Sequence, residues 1–408
     1  MSFINNVMVG ISVKVRYATF QNLLLWLLLT GGAIKPFFTY FNLPFDYTLL
    51  IFLVVVVDIL FNMATRFKEI HLNKEKLLIL GVLWLFYLAI LFSLIYTPSN
   101  SFSVEKSYLF SINILFFVYP LFVRELNLVL LYKLFLYILV PIVIWFILFK
   151  ALYFSPLNSG YNLVDVSFYE IRRNYLGFGM CLSILTILQI HLKKSFLIGA
   201  LSMVLLLGLG ARGALIFLLI SLLIWKWRSV VKRVIRFKIK RKMLRTLTVV
   251  SILLPVALIT QYEKIANFLY LGIIRFQSLF ELSADQSVQG RIDRLSFAVE
   301  NIFGSVSTLL FGNGIGSFGI LYSGEDVREY PHNIFLEILF ELGSVALILF
   351  CVFIFLPFLF KRILVFKVLV IYFLLNALKS GDLTGLWLLF FFIGLLVFNP
   401  KVCEEITT

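Results

Sequence analysis

The chain is poor in charge, in histidine and in cysteine, and each shortage excludes a class of protein. Only 14% of its 408 residues are charged, against about 25% in soluble proteins. With 61% hydrophobic residues, 45 of them phenylalanine, and a mean hydropathy of +1.01, no water-soluble core could hide the apolar surface. A soluble enzyme is excluded. Cys181, Cys351 and Cys403 are odd in number, far apart and without a histidine at ligand spacing, so neither a disulfide framework nor a metal site is expected. Histidine is limited to His71, His191 and His332. There is no paired-acid cluster on the outer face and no internal repeat.

What the chain has instead is long apolar runs. A helix needs about 20 apolar residues to cross the hydrocarbon, and internal hydrogen bonding requires each span to be helical. Runs lie near 19–40, 48–65, 77–96, 107–123, 129–152 and 174–190, and then near 195–211, 213–226, 246–260, 333–357, 364–379 and 385–399. The expected fold is therefore an all-α polytopic membrane protein of about 12 transmembrane helices, a single membrane domain over 1–408. Lys14 and Arg16 precede the first run and no small-residue cleavage site follows it, which reads as a retained helix rather than a signal peptide.

The net charge of +15 reads as basic cytoplasmic loops, not nucleic-acid binding. Segment 226–245 holds Lys226, Arg228, Lys232, Arg233, Arg236, Lys238, Lys240, Arg241, Lys242 and Arg245 with no acid, which fixes it inside. Counting spans from it puts both termini in the cytoplasm, and the basic loops Arg66 to Lys76, His191 to Lys194 and Lys361 to Lys367 agree. Outside, between the ninth and tenth spans, lies the long loop 261–332, with eight acids against five Lys or Arg. Ile265 to Leu282 and Ile292 to Phe303 have the apolar spacing of short amphipathic helices resting on the membrane boundary. A smaller outer loop covers about 153–173.

On this topology His332 is the one external histidine. Pro331 fits the first turn of a helix, which places His332 in that turn as an interfacial anchor or a general base. Asn333, Glu337 and Glu341 follow at four-residue spacing on one helix face. Glu337 is expected to line the same cavity or to pair with an arginine, since carboxylates at membrane depth need a partner. Arg212 sits in the break Gly210-Ala211-Arg212-Gly213, where small neighbours let a ligand approach. Arg291 and Arg294 share a face of a helix expected to begin after Gly290, and Arg172 and Arg173 end the smaller loop. Several guanidiniums and one histidine on a single face imply an anionic phosphate ligand held by bidentate forks. The glycine-rich run Phe311 to Gly319 lacks the strand–turn–helix setting of a nucleotide loop; it is expected to be a turn offering backbone N–H groups to an anion.

Gly290-Arg291 opening an amphipathic helix, Phe311-Gly312-Asn313-Gly314-Ile315-Gly316, Pro331-His332-Asn333-Ile334-Phe335-Leu336-Glu337 and Glu341-Leu342-Gly343 resemble the O-antigen polymerase and O-antigen ligase superfamily. The arginine turn Gly210-Ala211-Arg212-Gly213 matches as well, so the motifs cover mainly residues 205–345. The resemblance implies a GT-C-like membrane glycosyltransferase of the bacterial inner membrane, metal-independent and without nucleotide sugar, working at the periplasmic face. It implies undecaprenyl-diphosphate-linked oligosaccharide as donor and acceptor, with membrane lipids and a chain-length regulator protein as partners. His332 would be the base, with Arg212 and Arg291 neutralising the diphosphate. Arg172, Arg294, Asn333 and Glu337 would be substrate-binding. The Pro-His-Asn-x-x-Leu-Glu form favours a polymerase. The alternatives are a ligase to the lipid A core or, in a different class, a transporter of lipid-linked oligosaccharide, for which Asp58 inside a span is the one supporting acid.

Overall fold

The computed structural model describes residues 17–66, 72–153, 174–194, 196–234, 286–360, 363–398 and 400–403. In chain order the helices begin with α1 (Tyr17–Leu29), α2 (Gly31–Tyr40), α3 (Tyr47–Arg66), α4 (Lys74–Ser93) and α5 (Phe102–Val118). The short strand β1 (Glu125–Asn127) leads into α6 (Leu128–Leu134), a π turn and α7 (Val140–Tyr153). Then come α8 (Tyr175–His191), α9 (Phe196–Leu209) and α10 (Arg212–Val234). The last group is α11 (Gln286–Ile302), α12 (Val306–Phe311), α13 (Ser317–Ser323), α14 (Ile334–Phe355), α15 (Leu364–Ser380), α16 (Trp387–Phe398) and β2 (Lys401–Cys403).

The protein is mostly helical and membrane-embedded. Tyr47–Thr65, Lys74–Ser93, Leu128–Ile147 and Ile334–Leu359 are long and apolar enough to cross a bilayer, and a fifth crossing results if Tyr17–Leu29 and Gly31–Phe38 form one broken span. Shorter apolar helices occupy Tyr175–His191, Leu197–Leu209, Arg212–Trp225 and Trp387–Phe398. The expected run 246–260 lies outside the described residues. The fourth expected run began at 107, yet α5 begins at Phe102 and carries Lys106 inside the helix.

The chain divides into two compact units, the first made of Met1–Leu29, Thr48–Leu131 and Leu282–Thr408. Its core is a chain of aromatic rings from four helices. Phe86 of α4 meets Phe110 of α5 at 5.5 Å and Phe350 of α14 at 5.4 Å. Phe390 of α16 meets Phe110 at 5.5 Å and Phe353 at 5.0 Å. Such ring pairs add about 0.5–1.5 kcal/mol each beyond area burial. Gly394 lets α16 approach α5, because a Cβ there would stand 2.1 Å from the Phe117 carbonyl oxygen. On α4 the buried residues Ile79, Leu83, Phe86 and Ile90 recur at helical spacing, while Leu77, Trp84, Leu88 and Phe92 point outward.

Away from these rings, Asp58 of α3 accepts hydrogen bonds from Gln21 Nε2 (2.9 Å), Tyr119 Oη (3.1 Å) and the Tyr17 hydroxyl. The acid on which the transport reading rested thus staples three segments of the first unit. Parallel pairing of β1 with β2 sets Glu125 beside Lys401 and Asn127 beside Cys403.

A break in α14 shapes the end of this unit that carries His332. Gly343 has φ 77° and ψ −178° inside the helix, so the carbonyls before it lose their helical donors. Asn313 N and Gly314 N replace them on Phe340 O (2.9 Å) and Glu341 O (2.8 Å).

The second unit comprises Thr30–Tyr47 and Tyr132–Glu281. There α8 packs by glycine contacts. A Cβ on Gly177 would lie 2.2 Å from Gly32 O, and one on Gly179 would lie 2.9 Å from the Ala211 methyl. Gly210 (φ 66°) makes the sharp turn between α9 and α10.

Gly343→Ala should therefore be strongly destabilising. It forces a side chain into backbone space that glycine alone occupies freely, at about 1–3 kcal/mol, and its Cβ would meet Leu310 O at 2.2 Å. Thermal unfolding in detergent should show a clear loss of midpoint, whereas Gly324→Ala, with open space around it, should lose less.

Candidate functional site

The segment between α13 and α14 carries the candidate residue His332 and is tied down at several points. Asp326 accepts from Ser99 Oγ (2.6 Å), Asn100 N (3.0 Å), Ser101 N (2.8 Å) and Ser101 Oγ (2.9 Å). Desolvation opposes its charge, but these bonds outweigh it and hold the carboxyl down at about 2. Two residues on, Arg328 makes a two-pronged contact to Asp382 Oδ2, Nε at 2.9 Å and Nη2 at 2.7 Å. Desolvation would lower the Arg328 pKa, yet the Asp382 charge raises it overall. Asp382 also accepts from Thr384 Oγ1 and Gly385 N. Arg294 lies 5.3 Å over the Tyr322 ring, donates to Gly290 O (3.0 Å) and pairs with Glu329 at 3.4 Å.

His332 follows with φ 58°, a left-handed conformation uncommon outside glycine. Its ring meets Tyr330 edge-on at 4.5 Å, and its Nδ1 is sealed from solvent with no partner among the described residues. Burial first, then the Arg291 and Arg294 charges, push its pKa below the ordinary imidazole value, while Asp382 pulls it up. The net result is a neutral imidazole at pH 7, able to take a proton. Among the residues named at the site are three guanidiniums, Arg291, Arg294 and Arg328, and three carboxylates, Asp326, Glu329 and Asp382, of which Arg294–Glu329 and Arg328–Asp382 are paired. Arg291 is the guanidinium left with neither hydrogen bond nor ion pair among the described residues.

Beneath the site lies a buried charge cluster. Lys106 Nζ meets Glu337 Oε1 at 2.6 Å and both oxygens of Glu341 at 2.7 Å, with side chains 1%, 0% and 0% exposed. The remaining demand is met by backbone, Gly316 N donating to Glu341 Oε2 (3.0 Å) and Leu383 N to Glu337 (3.2 Å). Among the described residues there is no group of three His, Cys, Asp or Glu that could hold a metal.

Several expectations change. His332 is not in a helical turn; α14 starts at Ile334 because Asn333 is extended and caps it, its side-chain oxygen accepting from Phe335 N and Leu336 N at 3.1 Å. Asn333 therefore commits that oxygen to the helix rather than to a substrate. Glu337 does not line an open cavity, and its partner is Lys106 instead of an arginine. The anion served by the glycine-rich turn is internal, the Glu341 carboxylate. The helix carrying Arg291 and Arg294 begins at Gln286, with Gly290 inside it, where bonds Gln289 to Asp293 and Arg294 to Gly290 O span the glycine.

Thus His332, Arg291 and Arg294 come together. Arg212 stands at the first residue of α10, after the Gly210 turn, in the second unit. Arg172 and Arg173 lie outside the described residues, as does His71. Lys106, Arg328, Tyr330 and Asp382 were missed. A lysine flanked by Glu105 and Ser107 at the mouth of an apolar run is a readable signal, but it fell outside the expected run, which began at 107 where the helix begins at Phe102. Asp382 shows only as a lone acid in a short turn between two apolar runs.

Residues 195–351 match the family model described as O-antigen ligase. The match takes in Arg212, Arg291, Arg294, His332 and Glu337 and leaves Lys106 and Asp382 outside. No curated protein matches the chain.

Two outcomes follow from the charges. Lys106→Met leaves two carboxylates buried without their cation and should cost about 3–5 kcal/mol, read as lost thermal stability, with Glu337→Gln and Glu341→Gln added together restoring part of it. Asp382→Asn removes the charge that raises the His332 pKa, so acylation of His332 by an imidazole-directed reagent should persist to lower pH than in the native protein. Arg294→Gln should move that profile the opposite way.

Proposed function

Residues 195–351 place the chain in the O-antigen ligase/polymerase superfamily, and on that premise we propose that it is an O-antigen polymerase of the bacterial inner membrane. It transfers a growing glycan from undecaprenyl diphosphate to a lipid-linked repeat unit at the periplasmic face. The observation that carries the proposal is an uncommitted guanidinium, Arg291, acting on a histidine held neutral by burial and positive charge. A glycosyl diphosphate needs that combination. The acceptor hydroxyl attacks the anomeric carbon while His332 takes its proton. The bond from that carbon to the diphosphate oxygen breaks, and its electron pair leaves with the diphosphate, whose charge Arg291 meets as preorganised positive potential. Arg212 is assigned the same role from the family resemblance, with Arg172 and Arg294 assisting. A single displacement inverts the anomeric centre. The reaction is assigned no metal and no cofactor.

The sequence Pro331-His332-Asn333 with Leu336 and Glu337 supports a polymerase. The matched family's description favours a second reading, a ligase that passes the glycan to the lipid A core.

Surface lipopolysaccharide from a strain lacking the gene, with native or His332→Ala copies returned, tests this on a gel. Core bearing one repeat unit and no ladder is the expected deletion phenotype, restored by the native copy and not by His332→Ala. Bare core with long glycan left on its carrier would establish the ligase instead. An unchanged ladder would overturn both readings for this glycan.

A further inference from the structure

Between Arg328 and His332 the chain sends successive side chains to opposite sides. Glu329 turns to Arg294 of α11, and Pro331 is buried. Arg328, Tyr330 and His332 gather instead around Asp382. Arg328 is bonded to that carboxylate through Nε and Nη2. Burial pushes the Tyr330 hydroxyl pKa up and the Asp382 charge adds to it; the same charge acts on His332 against burial and the two α11 guanidiniums. The Tyr330 ring meets the imidazole at 4.5 Å. From Arg328 to His332 the row spans at most about 14 Å, short enough for one or two sugar rings.

The row keeps polar groups and a ring uncommitted. Two bonds to Asp382 fix the Arg328 fork in one plane, and its Nη1 makes no hydrogen bond among the described residues. Tyr330 Oη makes none among them either, and His332 is the one ring packed on Tyr330. Charge separates this row from Arg291. Asp382, 4% exposed and held by Thr384 Oγ1 and Gly385 N, cancels the Arg328 charge. Arg291 has no such counter-ion among the described residues.

We infer that Arg328 and Tyr330 bind the acceptor, forming the subsite for an uncharged pyranose that presents one hydroxyl to His332. The inference rests on the transferase reading and names the acceptor side of that site. Because the two rings touch, a hydroxyl that gives its proton to the imidazole brings its sugar against Tyr330. An aromatic ring offers an apolar face to the C–H side of a sugar and, in tyrosine, a polar tip to its hydroxyls. Nη1 of Arg328 then donates to a second hydroxyl of the same or the next ring. A phosphate or carboxylate at that point would meet the Asp382 charge together with the guanidinium, whereas Arg291 offers an anion an uncancelled charge. The pair therefore suits a neutral sugar, and the diphosphate falls to Arg291.

The test uses the full-length protein in nanodiscs and, as probe, the lipid-free repeat-unit oligosaccharide of the strain's own surface glycan, followed by saturation-transfer NMR. Saturation should fall on the C–H protons of one terminal sugar. Tyr330→Leu should weaken binding about tenfold, as loss of one aromatic contact implies, and Tyr330→Phe, which keeps the ring, should recover most of it. Arg328→Lys keeps the charge beside Asp382 but loses Nη1, and should weaken binding severalfold at an unchanged thermal midpoint. Native affinity in both Tyr330→Leu and Arg328→Lys would overturn the proposal, as would a loss of binding that only follows a loss of thermal stability. Tighter binding of an oligosaccharide whose terminal sugar carries a carboxylate would overturn the uncharged assignment. Turnover separates the subsite from the function itself. With a donor of several repeat units and an acceptor of one, Tyr330→Leu should raise the acceptor KM and leave the donor KM near the native value; the reverse would move the row to the donor and overturn the proposal. Native protein that transfers no glycan yet binds the oligosaccharide through Tyr330 would sink the transferase reading and leave a sugar site in place.

Discussion

One ammonium group buried between two carboxylates organises the described end of the first unit. Lys106 could not lie in an apolar bundle without Glu337 and Glu341, and neither acid could lie there without it, since an unpaired buried ion costs several kilocalories per mole. Satisfying all three fixes more than a pair of helices. Glu341 draws in the glycine-rich turn through Gly316 N, and Glu337 draws in the turn before α16 through Leu383 N. Asp382, next to that turn, then holds Arg328, four residues from His332. The position of the imidazole is thus the last link of a chain that begins with a lysine in a different part of the sequence.

The break at Gly343 is the second constraint. A continuous α14 would bond its own carbonyls and leave nothing for the 312–316 turn to hold. Breaking the helix frees Phe340 O and Glu341 O, and the turn's N–H groups meet them. Three glycines with positive φ in that turn, at 312, 314 and 316, are there because neighbouring backbone comes within 2.3–2.9 Å of where a Cβ would be. Anion binding from outside, which their spacing suggested, is a use they do not have room for.

Much of the helical layout was legible because hydrophobic runs report spans directly, and His332 and Arg291 were legible because polar groups are scarce enough on this chain to stand out. What escaped was pairing. Glu337 announced that it needed a partner, but Lys106 lies more than two hundred residues away and no local spacing connects them. Asn333 looked like a ligand because its side chain sits beside a histidine, whereas the need of a helix start for acceptors claims it first. The start of the helix at Gln286 was hidden by Gly290, whose usual meaning as a breaker is overridden by bonds on both sides of it.

The separation of Lys106 from its counter-ions also has an order in time. Lys106 is synthesised 231 residues before Glu337, so during membrane insertion α5 exists for many seconds at about 5–20 residues per second without the charges that neutralise it. In that interval Lys106, the fifth residue of the helix, favours the headgroup boundary, where a lysine can reach water. The helix that supplies the carboxylates thus completes the neutralisation of one threaded far earlier.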